Sequence, residues 1–170
     1  MMVEIVDRDH PVLRKDAEPV PPELFGTKKL HTIIKNMQDA LATQSDGAAL
    51  AAPQINVPLQ IFVVSPSIFE GEKSKDVHLV YINPKITRLS KRTHIVEEGC
   101  LSVRWLYGEM RRSSNATVEA FDENGERFTR GAGGLLAQIF QHEMDHLDGT
   151  LFIDTAKNIR EIPPEALQND

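Results

Sequence analysis

The chain has 170 residues, 41 % of them apolar and 26 % charged, an ordinary globular mixture long enough to bury a sizeable core in one domain. A net charge of -6 and a pI near 5.5 exclude the basic field of a general nucleic-acid binder, so no DNA partner is expected. The single cysteine excludes an internal disulfide and fits a reducing cytoplasm.

The N-terminal segment MMVEIVDRDHPVLRKDAEPV matches neither a secretory signal nor an arginine-rich transit peptide. Apolar runs such as Ile61-Phe62-Val63-Val64 are far too short to cross a bilayer, so no membrane partner is expected. Leu30, Ile33, Ile34, Met37 and Leu41 recur at helical spacing and predict an amphipathic helix over residues 28–44. SDGAALAAPQ reads as a loop, because Gly47 permits unusual backbone angles and Pro53 lacks a donor. QIFVVS follows as a buried strand, residues 67–78 as a solvated loop, and LVYINPKI as a second strand. Arg111-Arg112 reads as a solvated face. NATVEAF and ERFTR flank Asp122-Glu123-Asn124-Gly125, which predicts a hairpin.

A second helix is expected over 134–147, closing near Gly149. Leu136, Phe140 and Leu147 share its core side, with Met144 beside them, while Leu135, Ile139, His142 and His146 form a separate line. Pro163-Pro164 ends the ordered part, and residues 165–170 are expected to fray. Strands dominate around two helices without regular βαβ alternation. The expectation is one α+β domain over residues 1–170, with antiparallel sheet.

The line of the second helix ends in QHEMDHLDG. His142 and His146 stand one turn apart on one face and can share a metal ion, with the Glu143 carboxylate between them. Chance supplies His-Glu-x-x-His in such a chain about 2 % of the time, so the pattern alone does not decide. Two ligands do not hold a catalytic metal, and three sources could complete the site. A histidine further along the helix turn is ruled out, because Phe152 stands in its place. Glu161 and Glu165 are acids, but they sit in a Pro-broken tail with no further helix to hold them. Cys100, within EEGCLS, offers a thiolate suited to zinc or ferrous iron, although a lone cysteine is more often a small buried hydrophobe.

EGCLS together with QHEMDHLDG resembles the peptide deformylase family, whose metal is held by that cysteine and the two histidines. Gly47-Ala48-Ala49-Leu50-Ala51-Ala52-Pro53-Gln54 resembles the family's Gly-x-Gly-Leu-Ala-Ala-Pro-Gln motif, and PVLRKDAEPV resembles its N-terminal segment. The resemblance therefore spans nearly the whole chain. It implies antiparallel sheets packed around a central metal-binding helix, with Cys100, His142 and His146 as the ligands. It also implies a cytoplasmic monomer that removes the formyl group from N-formyl-methionyl peptides of nascent chains and releases formate. The implied ion is ferrous, Fe(2+), with zinc, nickel or cobalt accepted by the same donors.

In that chemistry Glu143 takes a proton from water and hands it to the departing amine. By analogy with the family, the Gln54 side-chain amide and the Leu101 backbone N–H stabilise the oxyanion. Leu135 and Ile139 suit an unbranched thioether chain, Gln138 borders the same pocket, and Gly47, Ala48 and Ala49 let a peptide backbone approach. Glu98 and Asp145 are candidates to orient the histidines.

The chain departs from the family in three places. Ala49 replaces the second glycine of the first motif. Val103-Arg104-Trp105-Leu106-Tyr107 stands where Pro-Gly is common, and Trp105 there reads as a core aromatic. Little sequence follows the metal helix, where some members carry a longer C-terminal helix that meets the ribosome, so only a transient ribosome contact is expected. Two rivals remain at this point. An endopeptidase of the His-Glu-x-x-His type is opposed by Phe152, and a non-catalytic metal-binding domain would have no use for Glu143.

Overall fold

A computed structural model describes residues 2–72 and 77–167. The first helix, α1, spans Lys28–Ala42; Thr27 caps it by accepting the Leu30 N–H, and Leu30, Ile34, Met37 and Leu41 are its buried stripe. Two antiparallel sheets follow. The larger runs in the order β1 (Ala49–Ala51), β2 (Ile61–Val64), β3 (Val80–Leu89), β6 (Asn115–Phe121), β7 (Arg127–Gly133). The smaller runs β4 (Thr93–Gly99), β5 (Leu106–Ser113), β8 (Lys157–Glu161). The second long helix, α2, spans Gly134–Leu147 and packs on β1, β3, β6 and β7 of one sheet and on β5 of the other. This is the α+β arrangement around a central helix that the sequence predicts.

The core stripe of α2 packs into the large sheet. Phe140 lies edge-on to Tyr81 at 5.4 Å between centroids, and Tyr81 stacks on Phe62 at 4.6 Å. The β6–β7 hairpin forms where expected, because Asp122 Oδ1 accepts the Asn124 and Glu126 N–H groups and Gly125 takes φ +82°.

Several local expectations are corrected. SDGAALAAPQ contains β1, followed by a 3₁₀ turn over Ala52–Ile55. Alanines carry little strand propensity, and pairing of Ala49 with Val64 and Ala51 with Phe62 supplies the order instead. Within the expected loop over 67–78, Pro66–Phe69 forms a 3₁₀ turn that buries Phe69, and residues 73–76 of that stretch lie outside the described residues. Trp105 is half-buried rather than a core residue. The chain does not stop being regular at Pro163-Pro164, since Pro164–Leu167 forms a helical turn, α3. The frayed tail expected over 165–170 falls partly outside the description, which ends at 167. β8 is exposed along its whole length and is held by pairing with β5, so no apolar alternation announces it.

Gly149 ends the α2 segment at φ +76°, and a Cβ there would come within 2.8 Å of the Arg14 carbonyl oxygen. Gly149→Ala is expected to destabilise the fold by about 2 kcal/mol and to lower the melting temperature by several degrees, measurable by calorimetry.

Candidate metal centre

Two neighbouring faces of α2 do different work. The core stripe anchors the helix, while Leu135, Ile139 and His142 line a cavity of about 450 Å³ between α2, β1 and the end of β4. His146 follows one turn deeper and is buried. The two imidazole centroids are 4.9 Å apart. Cys100 comes directly after β4, and its sulfur lies 3.3 Å from His146 Nε2. The ligating atoms of Cys100, His142 and His146 all lie within 4.8 Å of one another, and among the described residues they form the one such cluster. Just before Cys100, Gly99 leaves room for the Tyr107 ring, which a Cβ there would approach within 2.6 Å.

Burial disfavours a thiolate at Cys100, but His146 and His142 outweigh it and hold the thiol well below its ordinary range. His142 Nδ1 donates to Glu98 Oε1 at 2.8 Å, which leaves Nε2 for the cluster. Burial would raise the Glu98 carboxyl, yet Arg112 and His142 bring it down to about 2. Arg112 grips Glu98 through Nε at 2.6 Å and Nη2 at 2.8 Å, and reaches Asp145 through Nη1 at 2.8 Å. Arg112 is therefore buried and not part of a solvated face. The alternation of buried positions along β5, Gly108 then Met110 then Arg112, is the signal that places it inside. Of the two acids proposed to orient histidines, Glu98 does so directly, whereas Asp145 bonds to Arg112 instead of an imidazole.

Glu143 is only 3 % exposed, burial pushes its carboxyl upward, and its Oε1 has no hydrogen-bond partner within the protein. Gln54 is buried as well. Its Oε1 accepts the Ala51 N–H at 2.9 Å, and its Nε2 donates to Ser102 Oγ at 3.0 Å and lies 3.6 Å from the Cys100 sulfur. The amide nitrogen is thus turned toward the cluster. Ser102 was not singled out from the sequence, although it lies two positions after Cys100 in the same motif.

Gly47, Ala48, Ala49 and Leu101 line the cavity, as do Leu135, Gln138 and Ile139 on the opposite side. Leu135 is 55 % exposed, an apolar side chain left at the rim. Gln138 donates to the Glu97 carbonyl at 3.1 Å and so spans from α2 to β4. Asp46, Arg104 and Tyr107 also line the cavity, none of them expected there. One thiolate and two imidazoles, beside a buried carboxylate oxygen with no partner, are a donor set that suits a borderline divalent ion such as zinc or ferrous iron.

The family model for polypeptide deformylase matches residues 2–161. Peptide deformylase 2 of Clostridium acetobutylicum is 41 % identical over 143 residues, covering 84 % of this chain and 87 % of that protein. The peptide deformylase of Christiangramia forsetii is 34 % identical over 169 residues, covering 94 % and 84 %. The crystal structure of peptide deformylase from Thermotoga maritima superposes with a TM-score of 0.79 at 33 % identity, covering 96 % of this chain and 99 % of that one. With the family's match running from residue 2 to residue 161 and its fold reproduced throughout, the chain belongs to the peptide deformylases, metal-dependent hydrolases that remove the N-formyl group from nascent peptides.

Proposed function

We propose that deformylation takes place at the cluster of Cys100, His142 and His146, with those three side chains holding the ion. The observation that carries this reading is the convergence of three ligating atoms beside an unpartnered, buried Glu143 oxygen at the floor of a peptide-sized cavity. When bound by Cys100, His142 and His146, a divalent ion would lower the pKa of a water and polarise the formyl oxygen. Ferrous iron is the ion we propose for the cell, on the strength of the family; zinc, nickel and cobalt fit the same donors.

The protein's own groups account for the remaining steps. Glu143 Oε1 accepts the proton of the attacking water, burial makes it the better base by raising its affinity for that proton, and the proton then passes to the more basic leaving amine. Gln54 Nε2, aimed by its bonds to Ala51 and Ser102, donates to the developing oxyanion together with the Leu101 N–H. β1 and the end of β4 are strand edges on opposite sides of the cavity. An extended peptide between them can pair with both, with Gly47, Ala48 and Ala49 leaving room for its backbone. The methionine side chain lies against Leu135, Ile139 and the stem of Gln138. We place this single-domain protein in the cytoplasm, working as a monomer with a transient ribosome contact that delivers nascent chains.

Release of free amine from formyl-Met-Ala, with acetyl-Met-Ala inert and casein uncut, is the expected substrate profile; cleavage of casein alone would refute the proposal. Glu143→Ala is expected to keep one metal ion per chain while kcat falls about 10³-fold or more, whereas Cys100→Ala loses metal, as read by metal analysis of anaerobically purified protein. Arg112→Met strands the Glu98 carboxylate in the interior, and a destabilisation of about 3 kcal/mol is expected in urea titration, with metal affinity reduced about 10- to 100-fold.

A further inference from the structure

Arg104 is the cation in a cavity wall whose other charged members are acids. It lies in the segment where this chain replaces the family's common Pro-Gly. Its Nη1 donates to Asp46 Oδ2 at 2.6 Å, and its Nη2 donates to Asp46 Oδ1 at 3.0 Å and to Gln44 Oε1 at 2.8 Å. The guanidinium also sits 4.3 Å above the Trp105 ring. A lone exposed ion pair contributes under about 1 kcal/mol. This one is bidentate, has a third bond, and leaves the Arg104 side chain only 23 % exposed, so the two segments are held in one geometry.

The position of the bridge gives it a role. Asp46 immediately precedes the Gly47–Ala49 edge, and Arg104 follows the Cys100–Ser102 turn, so the bridge joins two walls of the cavity. Ala51 is tied through Gln54 to the Cys100 end, and Asp46 lies in the turn five positions earlier, before β1 begins at Ala49. A formyl group at the cluster and the methionine behind it would occupy the part of the cavity next to that end. The residue after methionine lies nearer the bridge.

Resting on the reading of the site above, we propose that Arg104 is a specificity-determining residue. By holding Asp46 it fixes the width of the outer channel, so that small side chains after the formylated methionine are preferred over bulky ones.

The test compares kcat/KM for formyl-Met-Trp-Ser and formyl-Met-Ala-Ser in the parent protein, Arg104→Ala, Asp46→Ala and the double variant, with formyl-Met amide as the substrate that ends short of the bridge. Either single substitution should raise the Trp-to-Ala ratio about fivefold or more, and the double variant should add nothing further, because both remove one contact. An unchanged ratio overturns the proposal, as does a change in only one of the two single variants. Equal collapse on all three substrates, in protein that melts like the parent, also overturns it. Asp46→Asn carries the same comparison should Arg104→Ala fail to fold. A parent protein inactive on every formyl substrate would instead strike at the reading of the site itself.

Discussion

The site depends on one buried ionic contact, Arg112 with Glu98. Glu98 stands at the penultimate position of β4 and Arg112 on β5, and Glu98 in turn accepts from His142 on α2. Removing both charges from water costs several kcal/mol, and the contact repays this only through its bidentate geometry and the further bonds to His142 and Asp145. The outcome is positional. It locks the β4–β5 hairpin against α2, so that Cys100, two residues beyond Glu98, arrives beside His146. It also commits the His142 proton to Nδ1, which leaves Nε2 as the nitrogen available to an ion.

The same logic sorts the acids around the cavity. Asp46, Glu97 and Glu98 each have an arginine partner, in Arg104, Arg160 and Arg112. Glu143 is paired with no lysine or arginine among the described residues. Three carboxylates are thereby spent on architecture. The fourth, buried and without such a partner, holds a proton more readily and is the one whose proton affinity suits chemistry.

The cavity exists because two sheets fail to meet. β1 ends the larger sheet and β4 the smaller one, and α2 floors the gap. Small residues at Gly47, Ala48 and Ala49 keep that gap open, and Ala49 in place of a glycine needs no special backbone because it sits in the extended conformation of β1. The apolar line Leu135, Ile139 and the paired imidazoles then present one wall suited to a thioether and one end suited to an ion. A single helix thus supplies core, pocket and two of the three candidate ligands from adjacent stripes.

How much of this was written in the chain order is clear from particular residues. The helix periods around Leu30 and Phe140, the Asp122–Gly125 turn and the four-residue spacing of His142 and His146 are local patterns set by backbone geometry, and they were readable directly. Cys100 as the proposed third ligand was legible only through the resemblance, since nothing local distinguishes it from a buried apolar cysteine. Arg112, Ser102 and the Arg104–Asp46 bridge were not legible, nor was the strand formed by Ala49–Ala51. Each depends on a partner 14 to 58 positions away, or on pairing that overrides weak propensity. The chain by itself determined which chemistries were on hand: a thiol, two imidazoles and a carboxylate. Only the packed sheets and helix decided which of those groups meet and which charges are neutralised, because burial and charge pairing are properties of neighbours in space.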